Sequence, residues 1–205
     1  MPSLAHIDVS RETISRLEAY QALLLKWNKA INLVSRTTEE DFWTRHILDS
    51  AQLFRNLPDN ALRWLDVGSG GGLPGLVVAI IAKEKRPDLR VTLVESDQRK
   101  STFLRQAGRE LDLSIDVLAE RIESITPFKA NVLSARALAP LSELLPLVSQ
   151  HLEEDGVAIL PKGERFREEL KKAQSDWQFD VVVEPSMTDN AAKILTIRGL
   201  TRAAG

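Results

Sequence analysis

Apolar residues near the start of the chain recur at alternating gaps of three and four positions. Between residues 10 and 31 they fall at Leu17, Tyr20, Leu24, Trp27 and Ile31. Side chains at this spacing share one face of an α-helix, so the pattern predicts an amphipathic first helix packed by that face.

The segment TTEEDFW predicts the start of a second helix. Thr37 followed by Glu40 fits a capping box, with acidic side chains in the first turn. The helix is expected to continue through TRHILDSAQLF and to stop at LPDN, residues 57–60, a cluster of turn formers. Residues 1–60 are therefore expected to form an N-terminal helical extension.

Beyond residue 61, short apolar runs alternate with helical segments. Strands are predicted at RWLDV, RVTLVES, LSIDVLAE, NVLSARAL, GVAILPKG, FDVVVEPSM and KILTIRGL. Helices are predicted from about Pro74 to Lys83 and at QRKSTFLRQAGREL, PLSELLPLVSQHL and ERFREELKKAQ. Such alternation predicts an α/β fold with helices on both faces of a mostly parallel sheet. Since only a short loop joins the last two strands, they are expected to form an antiparallel hairpin at one edge. Residues 61–205 form this core, which we expect to be one compact unit with the extension.

The amino-acid composition limits the kinds of binding site that the chain can form. The 205 residues carry a formal net charge of −2, so any binding to nucleic acid must use local basic patches. The chain has no cysteine, which excludes disulfides and thiolate metal sites, and its three histidines are scattered, so we expect no metal. A secretion signal and a long apolar run are both lacking, which predicts a cytoplasmic protein that does not enter a membrane.

Five glycines stand in the eight positions from Gly68 to Gly75. One interpretation is the dinucleotide-binding pattern G-x-G-x-x-G at Gly70, Gly72 and Gly75. Glu95 follows at the end of the second predicted strand, where an acidic side chain bonds a ribose hydroxyl. An NAD-dependent oxidoreductase is therefore one candidate.

The second interpretation starts from Asp66, which ends the first predicted strand directly before the glycines. A carboxylate there repels a diphosphate but suits a ligand that carries an ammonium or a sulfonium. S-adenosylmethionine meets these requirements: its methionine end can lie along the bare backbone at Gly68 and Gly70. Its ribose hydroxyls can reach Glu95, and its positive charge tolerates Asp66.

Six motifs together resemble one family. They are DVGSGGGLPG, RHILDS, KWNKAINLVS, AERIE, SARALA and LPKG, and the resemblance runs from about Tyr20 to the C-terminal hairpin. They are similar to the RsmG family, also called glucose-inhibited division protein B, bacterial methyltransferases that modify a guanine N7 in 16S rRNA. The resemblance implies a Rossmann-like class I methyltransferase fold with S-adenosylmethionine as the methyl donor. The family often has Gly-Pro-Gly or Gly-Ala-Gly where this chain has three consecutive glycines.

The resemblance also implies roles for individual residues. Gly68 and Leu73 are expected to contact the donor, Ile122 and Glu123 to flank its adenine, and Arg136 to lie beside it. Methylation of N7 removes no proton, so no general base is required and catalysis is expected to come from alignment.

Arg136 and Lys162 end predicted strands, at the sheet edge where open α/β folds bind ligands. We expect Arg136 to be the catalytic residue that also places the target nucleotide; the alternative is a structural ion pair with Glu123 or Asp66. Lys162, Arg45 and His46 are candidate RNA contacts. The expected partner is 16S rRNA or the small ribosomal subunit, met by a monomer. A ribosome-assembly or RNA-binding factor with a non-catalytic donor pocket remains the alternative from another class.

Overall fold

A computed structural model describes residues 4, 7–35 and 40–203 of the chain. Its centre is one seven-stranded sheet in the order β3-β2-β1-β4-β5-β7-β6. The strands are β1 (Arg63–Val67), β2 (Arg90–Val94), β3 (Ile115–Leu118), β4 (Ala130–Ser134), β5 (Leu152–Lys162), β6 (Trp177–Pro185) and β7 (Lys193–Arg202). The α-helices are α1 (Arg11–Asn28), α2 (Asp49–Ala51), α3 (Gly75–Lys85), α4 (Gln98–Glu110), α5 (Leu141–His151) and α6 (Phe166–Ala173).

The sheet confirms the predicted fold class. Strands β1 to β5 pair parallel, while β7 pairs antiparallel with both β5 and β6. A dinucleotide-binding fold shares the order 3-2-1-4-5 but continues with a parallel sixth strand. The inserted antiparallel β7 therefore separates this protein from that class. Several strand boundaries differ from the prediction by two to four residues. For example, β5 begins at Leu152 because this residue already pairs with Ala130, before an irregularity in the ladder.

The first helix buries the predicted face but is shorter than expected. Leu17, Tyr20 and Leu24 are fully buried. The helix ends at Asn28, whose side-chain oxygen accepts hydrogen bonds from the backbone N–H groups of Leu33 and Val34. These bonds hold the chain in a turn, which is why the helix does not reach Ile31.

The second helical segment, residues 43–56, is not a regular α-helix. It winds as a π-helix over Trp43–Leu48, an α-turn over Asp49–Ala51 and a 3₁₀-helix over Gln52–Asn56. The predicted capping residue Thr37 lies outside the described residues. π-Helical turns occur mostly as short segments, often at functional sites, and this one carries His46.

Two apolar clusters cover the two faces of the sheet. One joins α1, the segment 43–56, α3 and α4, with Trp64 and Phe103 at its centre. The other joins α5 and α6 to the opposite face, where Leu65 and Val67 point. Side chains of the N-terminal extension thus share a core with α3 and α4, although the division into two parts at residue 60 stays a prediction. No helix in the described part of the chain is long and apolar enough to cross a membrane.

Candidate active site

The glycine loop, residues 68–75, turns back over the end of β1. Gly68, Gly70 and Gly72 adopt φ angles of +67°, +56° and +87°, a left-handed region that side chains rarely adopt. The N–H groups of Gly68 and Ser69 both donate to the carbonyl of Val94, so the loop is fastened to the end of β2. This arrangement leaves bare backbone facing a cleft.

Tyr20 on α1 supports the same loop. Its buried hydroxyl donates to the carbonyl oxygen of Gly71 at 2.6 Å, and burial raises the pKa of the phenol far above its usual value. The apolar spacing of α1 indicated that Tyr20 is buried but gave no sign of this bond. The N-terminal extension therefore holds part of the site in place.

Asp66 lies beneath the loop rather than on the cleft surface. Its fully buried carboxylate accepts the Ser134 hydroxyl at 2.6 Å and the Gly75 N–H at 3.2 Å. Burial raises the pKa of this carboxyl to about 6, against the opposing effect of those hydrogen bonds. The charge of the Asp66 carboxylate would act on a donor in the cleft at a distance, without direct contact. Leu73, also expected at the donor, is buried with its side chain in the core.

The first cleft has a volume of about 540 Å³ and lies at the carboxyl ends of β1 and β2. Six of the eight residues expected at the donor line it: Gly68, Gly70, Glu95, Ile122, Glu123 and Arg136. Glu95 accepts the N–H groups of Gly70 and Asp97, each at 2.8 Å, which fixes its carboxylate at the cleft wall. Two bonds leave a carboxylate further lone pairs for a ligand.

A second cleft of about 820 Å³ adjoins the first. The two share the loop after β4, residues 135–140, which contributes Arg136, Ala137, Leu138 and Ala139 to both. The other walls of the second cleft include Arg45, His46, Asp49, Lys162 and three residues of the turn between β6 and β7, namely Thr188, Asp189 and Asn190. That turn and Asp49 were not identified from the sequence.

Arg136 stands at the junction of the two clefts. Its Nη1 lies 3.2 Å from Asp49 Oδ2 and donates to the carbonyl of Arg45 at 3.3 Å. Its Nη2 lies 3.1 Å from His46 Nδ1. The structural alternative was an ion pair of Arg136 with Glu123 or Asp66. Both of these partners are wrong, because Arg136 pairs with the carboxylate of Asp49.

His46 is neutral in this setting. Burial is the main cause that lowers its pKa to about 4, and the charges of Arg136 and Arg45 add to the effect. Because a guanidinium can only donate, Nδ1 must accept from Arg136 and the ring proton is on Nε2. His46 therefore orients the arginine without adding a charge.

The two other candidate RNA contacts differ in how they are held. Lys162 is 9% exposed; its ammonium donates to the Ala139 carbonyl at 2.8 Å and pairs with Glu169 at 2.9 Å. It thereby fastens the far end of the 135–140 loop. Arg45 has a side chain 61% exposed, and its ion pair with a described residue is a 3.8 Å contact with Asp41. Arg45 is thus available to a ligand, whereas Lys162 already supports the loop.

No group of three or more potential metal ligands lies together among the residues described.

The sheet order, the glycine loop after β1 and the acidic residue after β2 define a class I methyltransferase. Solved structures of the same fold include a ribosomal protein L11 methylase from Lactobacillus delbrueckii, with a TM-score of 0.59 and 18% identity over 78% of this chain and 79% of that one. A T. thermophilus 16S rRNA N2 methyltransferase in complex with AdoMet and guanosine gives a TM-score of 0.54 at 13% identity, over 76% of this chain and 40% of that one. At these identities the likeness shows the fold alone.

Sequence relatives identify the family. Residues 13–198 match the family described as "GidB: rRNA small subunit methyltransferase G". A ribosomal RNA small subunit methyltransferase G from Cereibacter sphaeroides is 52% identical over 197 residues, 96% of each chain. One from Paracoccus denitrificans is 50% identical over 198 residues, 96% of this chain and all of that one. The chain belongs to the rRNA small subunit methyltransferase G family, which confirms the resemblance inferred from the motifs.

Proposed function

We propose that this protein transfers the methyl group of S-adenosylmethionine to N7 of a guanine in 16S rRNA. The observation that carries the proposal is the pair of adjoining clefts that share Arg136 at the carboxyl ends of the strands. Ligands of open α/β sheets bind at this edge. One cleft suits the donor and the other the target base, so the two reacting atoms would meet beside the 135–140 loop.

The first cleft fits the donor through its own residues. Bare backbone at Gly68 and Gly70 admits a close approach, and the carboxylate of Glu95 can accept both ribose hydroxyls. Ile122 supplies an apolar surface for the adenine, with Glu123 beside it. Asp66, beneath the loop, favours a positively charged ligand over a diphosphate.

The chemistry needs alignment more than acid–base catalysis. S-adenosylmethionine supplies an electrophilic methyl group: its S–CH₃ bond breaks while a bond forms from the N7 lone pair, and the positive charge passes to the purine. No proton leaves N7, so the site needs no general base, and the neutral His46 is not one. The sulfur leaves as a neutral thioether, which is already a good leaving group, so we propose that no metal takes part. Alignment of this kind can supply up to ~7–11 kcal/mol.

Arg136 is the residue we assign to the target base. Donation to O6 of guanine would fix the base while N7 stays free to attack, and a guanidinium has five N–H donors for such contacts. Arg45, exposed on the rim, would meet the RNA backbone, where arginine binds phosphate well. The partner is then 16S rRNA or the small subunit, in the cytoplasm, with the protein acting as a monomer.

The test is transfer of radiolabelled methyl to small-subunit RNA from a strain that lacks the modification. We expect label in 7-methylguanosine with the wild type and a loss of about 100-fold with Arg136→Ala, since misplaced reactants cost that much. Arg63→Ala is the control, because Arg63 pairs with Glu153 at the amino end of β1, opposite the clefts. Its activity should match the wild type.

Other results would redirect the proposal. Label in a different nucleoside would refute the N7 assignment. Donor binding without label in free RNA or in subunits would favour an RNA-binding factor with a non-catalytic pocket. A rise in Tm with NAD and none with S-adenosylmethionine would favour the NAD-dependent oxidoreductase.

A further inference from the structure

We propose that Asp49 is a positioning residue that holds Arg136 and the turn between β6 and β7 in one fixed arrangement around the second cleft. The proposal rests on the proposed function, because its readout is methyl transfer to RNA. It assigns a role to the carboxylate of the RHILDS segment, at the end of the π-helical turn.

Each carboxylate oxygen of Asp49 has its own partners. Oδ2 faces the guanidinium of Arg136 at 3.2 Å. Oδ1 accepts the Thr188 hydroxyl at 2.9 Å and the side-chain amide of Gln52 at 2.9 Å. One side chain, 17% exposed, therefore connects the loop after β4 to the turn after β6.

Gln52 reinforces this connection from the same helical segment. The amide nitrogen of its side chain donates to the Ser186 hydroxyl at 3.1 Å, and its oxygen accepts the N–H of Met187 at 2.9 Å. Gln52 is 4% exposed, so these bonds are shielded from water. The turn between β6 and β7 is thus bound at three successive residues, Ser186, Met187 and Thr188.

The connected parts both line the second cleft, where the proposed function places the guanine. Arg136 lines it from the loop after β4, and Thr188, Asp189 and Asn190 line it from the turn after β6. Among the residues described, a guanidinium that loses its carboxylate partner keeps the carbonyl of Arg45 and the neutral His46 to orient it. We therefore expect Asp49 to affect the chemical step through Arg136, with little effect on the donor cleft.

The test compares Asp49→Asn with the wild type. Asparagine keeps the size and one acceptor oxygen but loses the charge that pairs with Arg136. We expect kcat for RNA methylation to fall by about 10- to 100-fold, since small displacements of a catalytic group are costly. The Kd for S-adenosylmethionine and the KM for RNA should each stay within about twofold of the wild-type values, as for an interaction made only in the transition state. The Tm should stay within about 3 °C of that of the wild type.

Asp112→Asn is the matched control. It removes a 2.8 Å ion pair with Lys83 at the amino end of β3, away from both clefts. Its kcat should equal that of the wild type, which would show that loss of a carboxylate pair is not harmful in itself.

A second variant, Thr188→Val, keeps Arg136 paired and removes the two bonds of the Thr188 hydroxyl, to Asp49 Oδ1 at 2.9 Å and to Ser186 Oγ at 3.0 Å. We expect a smaller fall in kcat, about two- to fivefold, from the weaker hold on the turn. If Asp49→Asn does not fold, this variant decides: an unchanged kcat overturns the proposal.

The remaining outcomes separate the two proposals. An inactive wild type refutes the proposed function and this inference with it. An active wild type with an equally active Asp49→Asn overturns this inference alone. A variant in which donor affinity, Tm and kcat all fall together makes Asp49 a merely structural residue and overturns the inference too.

Discussion

Replacing Asp66 with asparagine should change how the stability of the protein depends on pH. This carboxyl is fully buried beneath the glycine loop, and burial raises its pKa from 3.8 to about 6. The folded protein therefore binds the proton more tightly than the unfolded chain. The stabilisation from this group is complete below about pH 4 and is lost as the pH rises through 6.

The size of the pH effect on stability follows from the shift in the pKa of Asp66. A difference of about two pKa units corresponds to about 3 kcal/mol between the acidic and the alkaline limits. Over a practical range of pH 4 to 8, about 2–3 kcal/mol of this remains, because the unfolded chain is already half ionised at pH 4. Asparagine also loses the bond from the Gly75 N–H, at a cost of about 1–2 kcal/mol that does not vary with pH.

Urea unfolding of both proteins at several pH values measures this. The free energy of unfolding of Asp66→Asn, relative to the wild type, should rise by about 2–3 kcal/mol from pH 4 to pH 8. Asp155→Asn, at an exposed position on β5, is the control for the loss of a carboxyl that is not buried. A difference for Asp66→Asn that does not vary with pH would mean that Asp66 has a similar pKa in the folded and unfolded states, and would refute the reasoning.

Two further predictions concern the glycine loop. Tyr20→Phe leaves a buried loop carbonyl without its donor, so thermal unfolding should show a loss of about 1–3 kcal/mol and a Tm lower by several degrees; an unchanged Tm would contradict this. Gly75→Ala should destabilise the fold by more than 2 kcal/mol in urea unfolding, since its Cβ would lie 2.2 Å from Leu93 Cδ2. Gly163→Ala is its control, because no atom lies within 4 Å of a Cβ there; equal losses for both would refute the packing argument.

Most of the fold was predictable because local patterns decide it. The apolar spacing in QRKSTFLRQAGREL, the segment of α4 and its C-cap, places Phe103, Leu104, Ala107 and Leu111 on one helical face, and all four are buried. The antiparallel pairing of the last two strands followed from the short loop between them. At the end of α1 the local pattern failed because a side chain intervened: the amide oxygen of Asn28 accepts the N–H of Leu33 and turns the chain, against the helical periodicity that extends to Ile31.

The first cleft was predictable for the same reason. Its parts follow one another along the chain, with the glycine loop after β1 and Glu95 after β2. The bond between Gly70 and Glu95 spans 25 positions. Adjacent parallel strands bring their carboxyl ends together, so a glycine run and an acidic residue at successive strand ends indicate a common site. The sequence did not indicate that Asp66 and Leu73 are buried, because their burial depends on packing beneath the loop.

The second cleft depends on contacts that no local pattern encodes. Asp49 meets Arg136 across 87 positions and Thr188 across 139. Asp49 and Thr188, considered alone in the sequence, are ordinary polar residues, and nothing near Arg136 in the sequence indicates its partner. The bond between Asp49 and Thr188 forms because β7 inserts beside β5 and carries the turn after β6 back to the helical segment at 43–56. The donor cleft thus uses mainly what the sheet provides, with Tyr20 of the N-terminal extension supporting its loop. The cleft we assign to the guanine also takes walls from the segment 43–56 and from the turn between β6 and β7. Changes to the residues of those two parts that line the second cleft should therefore alter the choice of RNA substrate before they alter donor binding.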